Sequence, residues 1–203
     1  MKYLDATNFI LGMEITRDHA NMMIFLNQRK YVEMVLQIFN MQESKSVNAP
    51  IPIVIKLYVD QCPKTQEEQE DLPRVPYASA VGSLMYAMVC NRPDIAHAVG
   101  VLNRYMSKLG KENWTAVKRV FRYLCGTTYY AIFYQGRPEP DIVINVHGFT
   151  DVDWVGDIDR KISTRGYVFN LFGGDISLMR KRQVVVALSS TEAKYMEAIH
   201  ARK

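Results

Sequence analysis

Four aspartates lie within nine positions of one segment, and a glutamate of interest follows further along the chain. The segment is GFTDVDWVGDIDRK (148–161), its carboxylates are Asp151, Asp153, Asp157 and Asp159, and Glu192 follows in SSTEAKY. Carboxylate oxygens are the ligands that Ca²⁺ and Mg²⁺ prefer, and two metal ions about 4 Å apart can drive phosphodiester cleavage. The pattern leaves three alternatives: a calcium loop, a nuclease-type metal site, or an acidic turn.

A calcium loop of the EF-hand type is excluded by the spacing. Counted from Asp151, such a loop needs oxygen ligands at positions 1, 3 and 5, glycine at position 6 and glutamate at position 12. Asp153 and Gly156 fit positions 3 and 6, but Val155 stands at position 5 and Ile162 at position 12. The loss of the bidentate glutamate removes two oxygen contacts.

A nuclease-type site would use Asp151, which the pattern places at the end of an apolar strand, with Glu192 as the nearest downstream partner. The residues alone favour plainer roles: Asp153, Asp157 and Asp159 as turn and surface residues, and Ser189–Glu192 as a capping box at a helix start. Glu197 is five residues beyond Glu192, about 140° around a helix, so it is not expected to share an ion with Glu192.

Hydrophobic periodicity and the positions of proline and glycine predict a mixed α/β protein. Asn27 is expected to cap the first helix, whose inner face would carry Tyr31, Val35, Ile38 and Phe39. Module boundaries are expected in the proline-containing segments 44–76 and 136–140. The predicted strands are 8–16, 22–26, 129–135, 141–151, 165–172, 175–180 and 184–188 (the last a fourth strand or a continuation), and the predicted helices are 28–39, 77–90, 95–108, 112–125 and 189–203.

Composition sets limits on function. The 203 residues are 48% hydrophobic and 23% charged with a net charge of +4, which permits nucleic-acid contact without requiring it. Three scattered cysteines and four scattered histidines predict neither a disulfide framework nor a zinc site. The basic residues near 108–122 are expected to face solvent while the interleaved aromatics enter the core. Without a signal peptide or a membrane-spanning run, an intracellular location, cytoplasmic or nuclear, is expected.

Nearly the whole sequence resembles part of the Pol polyprotein of Ty1/copia-type retrotransposons. NFILGMEITRD, LNQRKYVEMVLQIFNM and SKSVNAPI resemble the stretch that closes the reverse-transcriptase palm and enters the thumb. VPYASAVGSLMYAMVCNRPDIAHAVGVLNRYMS and ENWTAVKRVFRYLCGT resemble the connecting region. GFTDVDWVGD, KISTRGYVFNLFGGDIS and VALSSTEAKYMEA resemble the start of the ribonuclease H domain.

The resemblance implies three regions: the C-terminal part of reverse transcriptase at 1–62, a helical connection at 63–140, and the N-terminal half of a ribonuclease H-like domain at 141–203. The implied fold is the end of a palm and thumb, then helices, then a truncated ribonuclease H-like sheet with one helix. The implied activity is copying of element RNA into DNA and two-metal cleavage of RNA in RNA–DNA hybrids. Asp151 and Glu192 match the family's catalytic, metal-binding residues, so the implied cofactor is Mg²⁺. The implied partners are nucleic acid and the rest of the polyprotein.

Several features indicate that these residues alone lack activity. The polymerase's paired aspartates and the later ribonuclease H aspartates are expected outside this sequence. Separately, Lys194 stands where the family usually has a second glutamate, Leu178 replaces a usual tryptophan, and Ile162 interrupts a basic-Ser-Thr run, and these departures indicate weak constraint or a decaying copy. The alternative is a nucleic-acid-binding or repurposed interaction protein without catalysis.

Overall fold

The computed structural model describes residues 6–52, 75–106, 110–136, 146–157, 162–183 and 185–201. Helices and strands both occur in this part of the chain, which confirms the mixed α/β class. The chain divides into two compact units, Met1–Thr16 with Phe25–Ile132, and Arg17–Ile24 with Phe133–Lys203. The predicted boundaries at 62–63 and 140–141 lie outside the described residues, so those domain limits stay a prediction.

Four short strands form the first sheet: β1 (Phe9–Ile10), β2 (Met13–Asp18), β3 (Met23–Asn27) and β4 (Ala131–Gln135), in the order β1-β2-β3-β4. The single strand predicted over 8–16 is wrong, because a tight turn at Leu11–Gly12 divides it into an antiparallel pair. Both turn residues have positive φ, 48° and 71°, a backbone conformation that glycine adopts without strain.

Four helices build the core of the first unit: α1 (Arg29–Ile38), α2 (Tyr77–Cys90), α3 (Ala96–Asn103) and α4 (Lys111–Gly126). A 3₁₀ turn, Pro93–Ile95, leads into α3. Proline suits the first position of this turn, because an N–H there would have no partner within the helix. The Asn27 side chain accepts a hydrogen bond from the Arg29 N–H at 3.2 Å, but the N-cap residue of α1 is Gln28, so the predicted cap by Asn27 is correct only for this hydrogen bond.

The inner face of α1 differs in part from its prediction. Val32, Val35 and Leu36 are buried against the other helices, whereas Ile38 is 62% exposed. The predicted face therefore keeps Val35 at its centre but does not include Ile38, which lies at the solvent side of the last turn.

The expectation that aromatics enter the core and basic residues face solvent is confirmed for α4 only in part, because Trp114, Arg119 and Arg122 are half-buried. The buried residues of this helix include Val117, Val120 and Phe121. Lys111 and Lys118 are exposed. The helix thus has one apolar face against the core and one basic face toward water.

The second unit contains a three-stranded antiparallel sheet, β5 (His147–Asp157), β6 (Ile162–Leu171) and β7 (Gly174–Arg182), in that order. Phe172 and Gly173 connect β6 to β7 with φ of 52° and 85°. A two-residue turn with positive φ at both positions matches the right-handed twist of the strands it joins. The three strands predicted here are confirmed, although all three differ from their predicted limits.

The last helix, α5 (Ser190–Ala201), packs against β5 and β6. The strand predicted over 184–188 is wrong for 185–188, which belong to no strand. The backbone bond from Gln183 N–H to the Ser163 carbonyl lies at the end of β7, and Val185, Val186 and Leu188 are exposed beyond it. Apolar β-branched residues alone do not make a strand where no neighbouring strand pairs with them. Within the described ranges, no helix combines the length and apolar character needed to cross a membrane.

Candidate functional site

Asp151 lies in the middle of β5, where its backbone pairs with Gly166 of β6. Its side chain and that of Asp153 are exposed. Asp153 pairs with Thr164, and Asp157 pairs with Ile162 after a register shift. The turn role predicted for Asp153 and Asp157 is therefore wrong, because β5 continues through both residues. Asp159 lies outside the described residues.

Glu192 stands in the first turn of α5 and takes part in a cap. The Glu192 N–H donates to the Ser189 hydroxyl at 3.1 Å, and the Glu192 carboxylate accepts from the Leu188 N–H at 2.8 Å. A reciprocal exchange of this kind satisfies amides that the first helical turn leaves without partners. The predicted cap is confirmed, with the carboxylate reaching one residue further back than in the standard capping box.

The strand pairing places Asp151 and α5 on different faces of the second sheet. Val152 pairs with Arg165, and Arg165 contacts Glu197 of α5, so both project from the face that the helix covers. Successive side chains of a strand point to opposite faces. Asp151 therefore projects from the other face, and a ligand shared by Asp151 and Glu192 would have to be reached around the edge of β5.

A buried charge pair lies between the sheet and α5. Arg165 Nε is 3.6 Å from Glu197 Oε2, and the two residues are 7% and 0% exposed. Burial raises the pKa of the Glu197 carboxyl, and the Arg165 guanidinium lowers it by a smaller amount. Sequence reasoning considered Glu197 only as an extra metal ligand and missed this contact. The detectable signal was a glutamate one helical turn beyond Ala193, on the inner face of α5.

Gln183, the residue after β7, provides a second link between the sheet and α5. Its side-chain amide donates to the Ala193 carbonyl at 2.9 Å, and Gln183 is 2% exposed. Ala193 is fully buried, so Ala193 and Glu197 define the inner face of α5. Glu192 is exposed at the side of this face.

The described carboxylates do not by themselves form a metal site. No group of three or more His, Cys, Asp and Glu side chains in the described ranges is arranged to hold a metal ion. Mg²⁺ requires near-octahedral oxygen coordination, and Asp151 and Glu192 supply two carboxylates, one of them engaged in the cap. The residues present thus do not fit a complete Mg²⁺ site.

Comparison with curated proteins identifies the lineage of the chain. It is 48% identical over all 203 residues to the retrovirus-related Pol polyprotein from transposon TNT 1-94 of Nicotiana tabacum. It is 36% identical over 188 residues, 93% of the chain, to the corresponding polyprotein from transposon RE2 of Arabidopsis thaliana. The chain belongs to the Ty1/copia-type retrotransposon Pol polyproteins. It spans 15% of the length of the TNT 1-94 Pol polyprotein and 12% of the RE2 Pol polyprotein.

A relative with a different name shares much of this Pol sequence. Secreted RxLR effector protein 161 of Plasmopara viticola is 46% identical over 125 residues, which are 62% of this chain and 85% of that protein. No family model matches the chain. No solved structure matches it either.

Proposed function

We propose that this Pol-derived chain covers the end of reverse transcriptase, a helical connection and the first half of a ribonuclease H-like domain. The observation that carries the proposal is the match over the full chain to a Pol polyprotein. The order of elements in the second unit supports it, since an antiparallel sheet with Asp151 on its first strand is followed by a helix with Glu192 in its first turn, although Asp151 projects from the sheet face opposite to this helix. In the complete polyprotein the function would be to copy element RNA and to cleave RNA in RNA–DNA hybrids.

Asp151 and Glu192 would be the catalytic and metal-binding residues that this chain contributes. In the complete polyprotein they would hold Mg²⁺ together with carboxylates from elsewhere, and the ion would supply charge stabilisation for phosphodiester cleavage. Because two carboxylates give an ion too few ligands, we expect these 203 residues alone to hold Mg²⁺ poorly and to leave hybrids uncleaved. The partners would be an RNA–DNA hybrid and the rest of the polyprotein.

The test has two arms. Purified chain is incubated with a labelled RNA–DNA hybrid and Mg²⁺ or Mn²⁺, and no cleavage above buffer is expected. A TNT 1-94 Pol polyprotein carrying this chain in place of its matching segment is assayed beside its parent. Hybrid cleavage by the chimera should disappear in Asp151→Asn and in Glu192→Gln.

Asp153→Asn is the matched control, because Asp153 is exposed on the same strand and face two residues from Asp151. It should cleave like the unaltered chimera. Robust cleavage by the chain alone that Asp151→Asn abolishes would contradict the expected inactivity. Equal loss of cleavage in Asp153→Asn would contradict the specific role of Asp151.

A second candidate function is nucleic-acid or protein interaction without catalysis. Lys111, Lys118 and Arg122 fall within about 40° of one another around α4 and span about 17 Å along it. Among the described residues, none of these three cations forms an ion pair with a carboxylate. A row of cations of this kind can contact successive phosphates. The similarity to a protein named as a secreted effector supports a repurposed interaction role.

A further inference from the structure

The contact between α5 and β6 places two opposite charges in the protein interior without a hydrogen bond between them. Arg165 Nε and Glu197 Oε2 are 3.6 Å apart, beyond hydrogen-bond distance. Neither carboxylate oxygen of Glu197 has a hydrogen-bond partner among the described residues, and the same holds for Arg165 Nε. Burying charge is costly, so a pair with this geometry is a poor source of stability.

The same cost makes the contact selective for one helix orientation. If α5 rotated, Glu197 would leave Arg165 and would be an unpaired charge against an apolar surface, which is more costly than the pair. Gln183 limits sliding of the helix, since its amide holds the Ala193 carbonyl one turn before Glu197. Glu192 is about 140° around the helix from Glu197 and about 7.5 Å along its axis. Fixing Glu197 against the sheet therefore fixes Glu192 at the exposed side of α5.

We propose that Arg165 and Glu197 are a docking pair that sets the rotation of α5 on the second sheet and so directs Glu192 toward solvent at the helix start. Both are positioning residues, and neither is assigned contact with a substrate. The consequence for catalysis rests on the proposed function, because it takes Glu192 as a metal ligand. The docking itself does not depend on that assignment.

The two charges of the pair differ in their freedom to reach water. Glu197 is 0% exposed on a short side chain, whereas the long stem of Arg165 allows its charged end to move toward solvent. The other titratable groups on the elements around Glu197 are Tyr167, which shares the Arg165 face of β6, Lys181 of β7, which pairs with Arg165, and Lys194 and His200, one turn away on α5. Removal of Arg165 should therefore disturb α5 more than removal of Glu197.

Carbodiimide labelling of carboxylates, read by tandem mass spectrometry on the full chain at neutral pH, tests the orientation directly. Glu112 is the reference, because it is an exposed glutamate in the first turn of α4 and lies outside the second unit. In the unaltered chain we expect Glu197 to be labelled at least tenfold more slowly than Glu112. Arg165→Met should bring the Glu197 rate close to that of Glu112, and Arg165→Lys, which keeps the charge, should preserve the protection.

A second pair of variants separates docking from loss of packing. Arg165→Met should speed hydrogen–deuterium exchange across 190–201 at least tenfold, and the double variant Arg165→Met/Glu197→Met should restore slow exchange. Lys111→Met, at an exposed position on α4 outside the second unit, should change nothing. Glu197 labelled as fast as Glu112 in the unaltered chain would overturn the proposal. The proposal would also be overturned if the effects of Arg165→Met and Glu197→Met on hydrogen–deuterium exchange simply added in the double variant.

General unfolding is distinguished from undocking by Asp94 of the first unit, which is held by Arg92 at 2.7 Å. If Asp94 labelling also rises in Arg165→Met, the decision falls to Arg165→Lys. Retained protection of Glu197 there supports the docking pair, and lost protection overturns it. No metal or nucleic acid enters these measurements, so a failed hybrid-cleavage assay would leave their outcome unaffected.

Discussion

The guanidinium of Arg92 donates to the Thr127 carbonyl at 3.1 Å and to the Thr127 hydroxyl at 2.6 Å, although 35 positions separate the two residues. Its remaining donors hold both oxygens of Asp94. The Thr127 hydroxyl in turn donates to the Tyr123 carbonyl in the last turn of α4. Arg92 is 2% exposed, so this network joins the 3₁₀ turn after α2 to the end of α4 through a buried cation with partners on both sides.

Replacement of Arg92 by methionine should lower the free energy of unfolding by about 3 kcal/mol, because it leaves a partly buried carboxylate and the Thr127 carbonyl without their partner. Arg92→Lys should recover only part of the loss, since an ammonium cannot reproduce the planar, bidentate donors. Urea unfolding of the full chain measures both. Arg29→Met, which breaks an exposed pair with Glu33, should leave the midpoint unchanged. An equal shift for Arg29→Met would contradict the importance of burial.

Tyr77 should make the first unit sensitive to alkaline pH. Its hydroxyl donates to the Leu102 carbonyl at 2.8 Å, and burial, with a smaller effect of Tyr105, raises the pKa of the phenol. A raised folded-state pKa favours the protonated form, so its contribution is fully present below the unfolded value of about 10 and is lost as pH rises through the folded value. Tyr77→Phe should cost about 1 kcal/mol near pH 7 through the lost hydrogen bond, and this cost should shrink above about pH 10.

The cost of Tyr77→Phe is measured by urea unfolding at three pH values. These are neutral pH, one unit below the unfolded pKa of about 10, and half a unit above it. Tyr129→Phe is the control, because Tyr129 is 69% exposed. Its stability should follow that of the unaltered chain at every pH. A Tyr77→Phe cost that stays constant up to the highest of these pH values would contradict the proposed linkage.

The elements that sequence reasoning placed best are those with strong local signals. Helix α2 begins and ends at the predicted residues, because Pro76 precedes it and Asn91–Arg92–Pro93 interrupts the chain after it. Where the structure differs, tertiary pairing decides. The apolar run after Gln183 resembles a strand by composition but its described residues have no strand partner, and Asp153 continues β5 because Thr164 lies opposite it.

The contacts of the candidate site also differ in how well the sequence predicts them. The cap at Ser189 and Glu192 depends on residues three apart, so the sequence is sufficient to predict it. The contact of Arg165 with Glu197 joins residues from a strand and a helix, and no local pattern specifies which strand face the helix covers. The assignment of Asp151 and Glu192 to metal binding comes from family resemblance and stays a prediction.

The two roles considered for Glu192 predict different responses to substitution. If Glu192 acts in the cap, Ser189→Ala should lower the free energy of unfolding by about 1 kcal/mol. Glu192→Ala should also lower it, because the Leu188 N–H would lose its acceptor. Glu192→Gln retains an acceptor oxygen and should preserve most of the cap. Urea unfolding measures stability, and Mn²⁺ titration followed by electron paramagnetic resonance measures metal binding. Tighter Mn²⁺ binding by the unaltered chain than by Glu192→Gln would show that the carboxylate also acts as a ligand without the rest of a site.

The cation row of α4 offers a test of nucleic-acid binding that is independent of catalysis. If Lys111, Lys118 and Arg122 each neutralise one phosphate, the logarithm of the affinity should fall with the logarithm of salt concentration with a slope of about −2 to −3. The triple glutamine variant should bind a labelled RNA–DNA hybrid more weakly and with a slope near zero, as measured by fluorescence anisotropy over a series of NaCl concentrations.

The control for the cation row removes the same charge from other exposed positions. Arg29→Gln/Lys30→Gln/Lys194→Gln should keep the salt slope, because none of these residues belongs to the α4 row. Since Arg122 also donates to the Lys45 carbonyl at 2.7 Å, a thermal melt must first show that the α4 variant is folded. Equal loss of slope in both triple variants would mean that net charge, and not the α4 row, governs binding.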